Sequence, residues 1–241
     1  MPTYAAPRSD DARLSTLDTA FTTSGGDSAD AKLLPAEVRT KVEVFLPAYR
    51  PLVDAVNKAT AGRAKEVDEK DVAFAELGVN VRDFFEVLKR RTVREKHNVS
   101  VLVHYGLPQS GDLPALDRED DVESAAAGIV SGETAAVAAG FPAMANPSAT
   151  EVKEALDAYR KESGEVTPAD AAVRQAQLAA ARLRPQADEL IGDVKDELTH
   201  ALRKQEGPAQ RRVLRLFGFK FTPSPGETPE PEPAPAPSLR P

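Results

Sequence analysis

The chain has 241 residues, room for one domain or two small ones with a core that needs no covalent staples. It contains no cysteine, which excludes disulfides, thiolate metal sites and a cysteine nucleophile. Aromatic residues make up 5% and Trp is absent, a composition that leans helical, and the net charge of −7 disfavours a general nucleic-acid binder.

Residues 1–34 show weak periodicity and a "TTSGGDSADA" run, and read as a mobile arm. They lack the basic and apolar regions of a secretory signal, and no uninterrupted apolar stretch of about 20 residues follows. A cytoplasmic protein without membrane insertion is expected.

The first helical block is expected over residues 35–107. Val38, Val42 and Phe45 line a short helix that starts at Pro35, with Pro47 and Pro51 interrupting it. A long apolar seam then runs through Val53, Val56, Thr60, Val67, Phe74, Leu77, Val81, Phe84, Phe85 and Leu88. Arg63 and Lys70 break this seam, and Gly62 is a point where the helix could divide. The block closes on "VSVLVHYGLP" at 99–108, which alone resembles a strand. Residues 108–148 read as a linker. Its acidic "DREDDVES" matches the positive end of a helix dipole and opens an Ala-rich helix containing Glu133.

The second block is expected over 149–221. Ser148 and Glu151 form a capping box for a short helix through Arg160, and "ESGEVT" separates it from a long one. Thr167 and Pro168 suit the start of that long helix. Its seam runs through Val173, Ala176, Ala180, Leu183, Ala187, Leu190, Val194, Leu198 and Ala201, with a kink at Pro185. Gly207-Pro208 opens a last helix that closes on "RRVLRLFGFKF". Residues 222–241 form a Pro-rich tail that cannot build a core and is expected to be disordered.

The two blocks align. Tyr105-Gly106 falls on Phe217-Gly218, "LPAYR" at 46–50 on "LDAYR" at 156–160, and Leu77, Val81 and Phe85 on Leu190, Val194 and Leu198. If they are repeats, both endings are short helices stopped by Gly, and the residue after each Gly folds back onto the bundle. The expected fold is all-α: an elongated helical bundle of two similar blocks, each a short helix, a long helix and a short terminal helix, with disordered tails.

Chemistry is sparse. No HExxH, Walker loop, GxGxxG or GxSxG occurs. Asp193, Glu197 and His200 share one helix face and contain one Glu-x-x-His, half of what a ferritin-like metal centre needs. A solvated helix face is the preferred reading, and no cofactor or metal is assigned. Asp83 with Arg90, and Asp196 with Arg203, occupy matching places and suit helix register. Two basic clusters, around Arg90, Arg91 and Arg94 and around Arg211, Arg212 and Arg215, form a possible surface for an anion or a partner. Positive charge at helix C-termini, paired with neighbouring acids, is the preferred reading of them. The leading expectation is a non-enzymatic scaffold or self-assembling protein that meets itself or another protein through helical faces. An anionic-polymer binder and a ferritin-like bundle are the alternatives, with nucleic acid disfavoured by charge.

Overall fold

A computed structural model describes residues 3–94 and 99–222. The protein is all-α, with seven α-helices among the described residues. They are α1 (Asp10–Ser24), α2 (Ala36–Arg94), α3 (Val101–His104), α4 (Glu119–Ala138), α5 (Ala149–Ala181), α6 (Arg184–Ala201) and α7 (Gly207–Leu216). Two short strands, β1 (Thr3–Ala5) and β2 (Lys220–Thr222), pair antiparallel with Tyr4 opposite Phe221. Among the described residues no helix is long and apolar enough to cross a membrane. His97 and residues 223–241 of the Pro-rich tail lie outside the described residues.

The segment expected as a mobile arm is instead ordered and packed. Ser9 caps α1 by accepting from the Ala12 backbone N–H at 3.2 Å, and Asp10 and Asp11 occupy the positive first turn. Leu14, Leu17 and Ala20 are buried. Three apolar positions make too short a seam to stand out in sequence, yet they suffice once a neighbouring surface covers them.

The long helices also differ from expectation. Pro47 and Pro51 lie inside α2 and do not interrupt it. Both are exposed and one turn apart, so the carbonyls they leave without helical donors lie on the wet side of the helix, where water satisfies them. Phe45, Leu46, Tyr49 and Val53 remain buried on the other side. "ESGEVT" is no separator either, because α5 runs through it and through the exposed Pro168. The break falls after Ala181. There Pro185 occupies the first turn of α6, where a missing N–H costs nothing. The expected kink at Pro185 is thus a full helix boundary.

The chain forms two compact units that do not follow the expected blocks. Unit 1 takes Met1–Ala59 with Val173–Pro241, and unit 2 takes Thr60–Ala172. Each unit therefore combines half of one long helical stretch with half of the other. The core of unit 1 gathers Leu17, Val42, Tyr49, Leu198, Val213 and Phe217. That of unit 2 gathers Ala126, Val152, Tyr159, Phe85, Val101 and Tyr105.

The internal similarity extends further than the blocks suggested. The element order also recurs, with α1, α2 and α3 followed by α4, α5 with α6, and α7. In this order α1 lies in the segment expected as an arm and α4 in the segment expected as a linker. Val42, Phe45, Leu46 and Tyr49 match Val152, Ala155, Leu156 and Tyr159, and all eight are buried. Val101, Leu102, Tyr105 and Leu107 match Val213, Leu214, Phe217 and Phe219, again all buried. Both terminal helices end alike. Gly106 (φ 74°) donates to Val103 O at 3.1 Å, and Leu107 to Leu102 O at 3.0 Å. Gly218 (φ 88°) donates to Arg215 O at 3.0 Å, and Phe219 to Leu214 O at 3.1 Å. This paired bonding requires a left-handed residue, which glycine adopts without strain. The Val-rich stretch at 99–107 is therefore a helix end and not a strand.

Candidate functional site

Each unit holds one buried tyrosine bonded to an acid in the first turn of a neighbouring helix. In unit 1, Tyr49 Oη donates to Asp10 Oδ1 at 2.9 Å, and Arg184 grips the same carboxylate with two bonds of 2.8 Å. In unit 2, Tyr159 Oη donates to Glu119 Oε2 at 2.9 Å, and Lys70 Nζ binds Oε1 at 2.8 Å. The two tyrosines are those of the matching "LPAYR" and "LDAYR" segments. Arg184 holds the Asp10 carboxyl below the usual range, against the opposing pull of burial. Lys70, then Tyr159, does the same for Glu119. Burial first, then the bonded acid, raises the tyrosines, with Tyr159 pushed up to about 12. A phenol with so high a pKa stays protonated at neutral pH and acts as a fixed donor, so these networks hold helices in register.

A third acid serves unit 2 alone. Tyr105 Oη donates to Glu133 Oε2 at 2.5 Å, and the backbone N–H of Met144 donates to Glu133 Oε1 at 2.8 Å. Glu133, the one charged residue of the Ala-rich segment, thus ties the end of α3 and the loop after α4 to α4 itself. Beside it lies a recess of ≈ 10 Å³ bounded by Leu88, Arg91, Tyr105, Phe141 and Met144, the room of about one water.

The six arginines singled out in the sequence fall into different units: Arg90, Arg91 and Arg94 in unit 2, and Arg211, Arg212 and Arg215 in unit 1. Arg90 pairs with Glu86 at 2.9 Å. Arg91 donates to the Ala143 carbonyl at 3.1 Å and anchors the loop after α4. Arg215 lies over the Phe221 ring at 5.8 Å. Arg94 and Arg212 are exposed, and Arg211 is half-buried. Arg90 thus bonds Glu86 and not Asp83, while Arg203 contacts His200 Nε2 at 2.6 Å and not Asp196.

Asp193, Glu197 and His200 do not converge on a metal. Asp193 pairs with Lys41 at 3.6 Å, Glu197 is exposed, and the arginine contact requires His200 Nε2 to accept a hydrogen bond. A different group of carboxylates does come together in unit 2. Glu66, Glu162 and Glu165 each place an oxygen within 4.8 Å of the other two. Oxygen ligands in such a group suit a hard cation. Lysines also neutralise it: Lys65 lies 3.6 Å from Glu66, and Lys161 lies 2.7 Å from Glu162 and 3.6 Å from Glu165.

The outer surface of α2 in unit 2 carries three large apolar side chains in water. Val72 is 68% exposed, Val79 55% and Val93 75%. The apolar seam legible in the sequence faces inward and does not include them. Their spacing of 7 and 14 residues, in register with one another and out of phase with Leu77, Val81 and Leu88, was the signal that could have found them.

Comparison with known protein families, with curated proteins and with solved structures finds no match to this chain.

Proposed function

We propose that this chain is a non-catalytic helical scaffold that works by assembling through its helix faces. The observation that carries the reading is the row of exposed valines on α2. A large apolar side chain in water costs about 1.5–3 kcal/mol relative to its burial, and a row of them at heptad spacing is the signature of a helix that packs on another. The buried polar groups support the same reading: Tyr49, Asp10 and Arg184, and Tyr159, Glu119 and Lys70, brace one helix against the next. The basic residues do not favour a polyanion surface, because Arg90, Arg91 and Arg215 have partners within their own units. The test is light scattering on the full chain over a concentration series. A mass that rises above the monomer is expected. A strict monomer at concentrations of hundreds of micromolar refutes self-assembly.

A further inference from the structure

Granting self-assembly, we infer that the face of α2 bearing Val72, Val79 and Val93 is the docking surface, and that its occupant is the same face of a second copy running antiparallel.

The similarity between the two halves of the sequence provides a comparison. Aligned through Leu77 on Leu190 and Val81 on Val194, the three valines fall on Pro185, Gly192 and Glu206. Two of these, Pro185 and Gly192, lie on α6 and are not large apolar residues, while Glu206 lies beyond the end of that helix at Ala201. The framework therefore does not require Val72 and Val79, whereas the matched residues Leu77, Val81, Leu190 and Val194 are all buried. Something outside the common fold accounts for the two valines.

Charge identifies the occupant. Along the exposed face, acids dominate the N-terminal part (Asp71, Glu76) and bases the C-terminal part (Lys89, Arg90, Arg94), where the exposed acid Glu86 is paired with Arg90. A face that runs from negative to positive is complementary to itself when reversed, and repels itself when parallel. An antiparallel register that sets Val72 opposite the second copy's Val93 also sets Asp71 opposite Arg94 and Glu76 opposite Lys89. Arg82 and Asp83 then meet their opposites at the midpoint. One alignment thus matches the apolar ends and these three ion pairs, with Val79 set against the Glu86 stem of the second copy. From Val72 to Val93 the contact spans about 32 Å of helix. That is small beside the ~800 Å² per partner of a standard interface, so the dimer is expected to depend on concentration.

The experiment is sedimentation equilibrium of the full chain and of four variants: Val79→Glu, Glu76→Lys, Lys89→Glu, and the last two combined. All three substituted positions are exposed, and far-UV circular dichroism checks that each variant keeps the helical content. Val79→Glu places a second carboxylate against the partner's Glu86 and should abolish the dimer. Each single charge reversal creates two like-charge pairs and should raise the dimer Kd by about tenfold. The double reversal recreates opposite pairs only in an antiparallel arrangement, and should return the Kd to within about threefold of wild type. Failure of the double variant to recover rules out the antiparallel register. An oligomer indifferent to Val79→Glu rules out this face but leaves self-assembly standing. A wild type that stays monomeric removes both.

Discussion

Gly128 and Gly132 lie one turn apart on α4, and replacing each by Ala should shift stability in opposite directions. At Gly128 a new Cβ would meet nothing within 4 Å. Alanine there removes backbone freedom from the unfolded chain and should stabilise by about 0.5–1 kcal/mol. At Gly132 the Cβ would lie 2.5 Å from the carbonyl oxygen of His104 and 2.9 Å from the ring of Tyr105. The first obstacle is backbone and cannot rotate away, so α3 must move off α4. Overpacking of this kind costs about 1–3 kcal/mol. The shift also loosens the bond from Tyr105 to Glu133, worth about 1 kcal/mol more. Set against the same favourable chain-entropy term, the net loss should be about 2 kcal/mol. Urea unfolding followed by circular dichroism measures both variants, and hydrogen exchange over residues 101–138 localises the effect. If Gly132→Ala proves neutral or stabilising like Gly128→Ala, the close packing of α3 on α4 is wrong.

Leu190 faces the core of unit 1, so Leu190→Ala should cost about 2–5 kcal/mol by opening a cavity, while Leu178→Ala, at a 62% exposed position, should change stability by less than about 0.5 kcal/mol; denaturant melts compare them. Acid should also unfold the protein in a defined window. The carboxyls of Asp10 and Glu119 are depressed in the folded state, so their contribution is complete above the unfolded values of about 3.9 and 4.3 and is lost as pH falls through the lower folded values. Asp18, raised by burial despite Arg50, works in the opposite direction and softens the drop. Thermal melts should hold steady down to about pH 5 and fall below about pH 4. Asp10→Asn should flatten that fall, and an unchanged acid limb would contradict the assigned network.

What could be read from the chain without its structure was the part governed by local periodicity. The seam from Ala187 to Leu198 is buried, and the two Gly stops at 106 and 218 end helices as their surroundings imply. The proline breaks were misjudged because a helix's tolerance of Pro47, Pro51 and Pro168 depends on which side meets water, and that is a tertiary fact. The first helix was missed because its apolar positions are few. The tyrosine networks were invisible for another reason: Tyr49 reaches back 39 residues to Asp10, and Tyr159 reaches back 40 to Glu119. The near-equal spacing, repeated in two matching segments, was a usable clue. Pairing at such separations follows no local rule, and only the repeat made it detectable. The exposed valines escaped because a search for a core rejects whatever lies on the other side of the helix.

The division of the chain into units also fixes an order of events during synthesis. Unit 2 is one uninterrupted stretch, Thr60–Ala172, and can close as soon as that stretch has left the ribosome. Unit 1 cannot. Residues 1–59 include α1 and the apolar start of α2, and their partners α6 and α7 are made only after unit 2. The bond from Thr23 to the Leu216 carbonyl joins residues 193 positions apart. Until the ribosome has passed Phe219, the nascent chain carries Leu14, Leu17, Val42 and Phe45 without the surface that later covers them. The segment made ahead of unit 2 is therefore sheltered only after unit 2 can close.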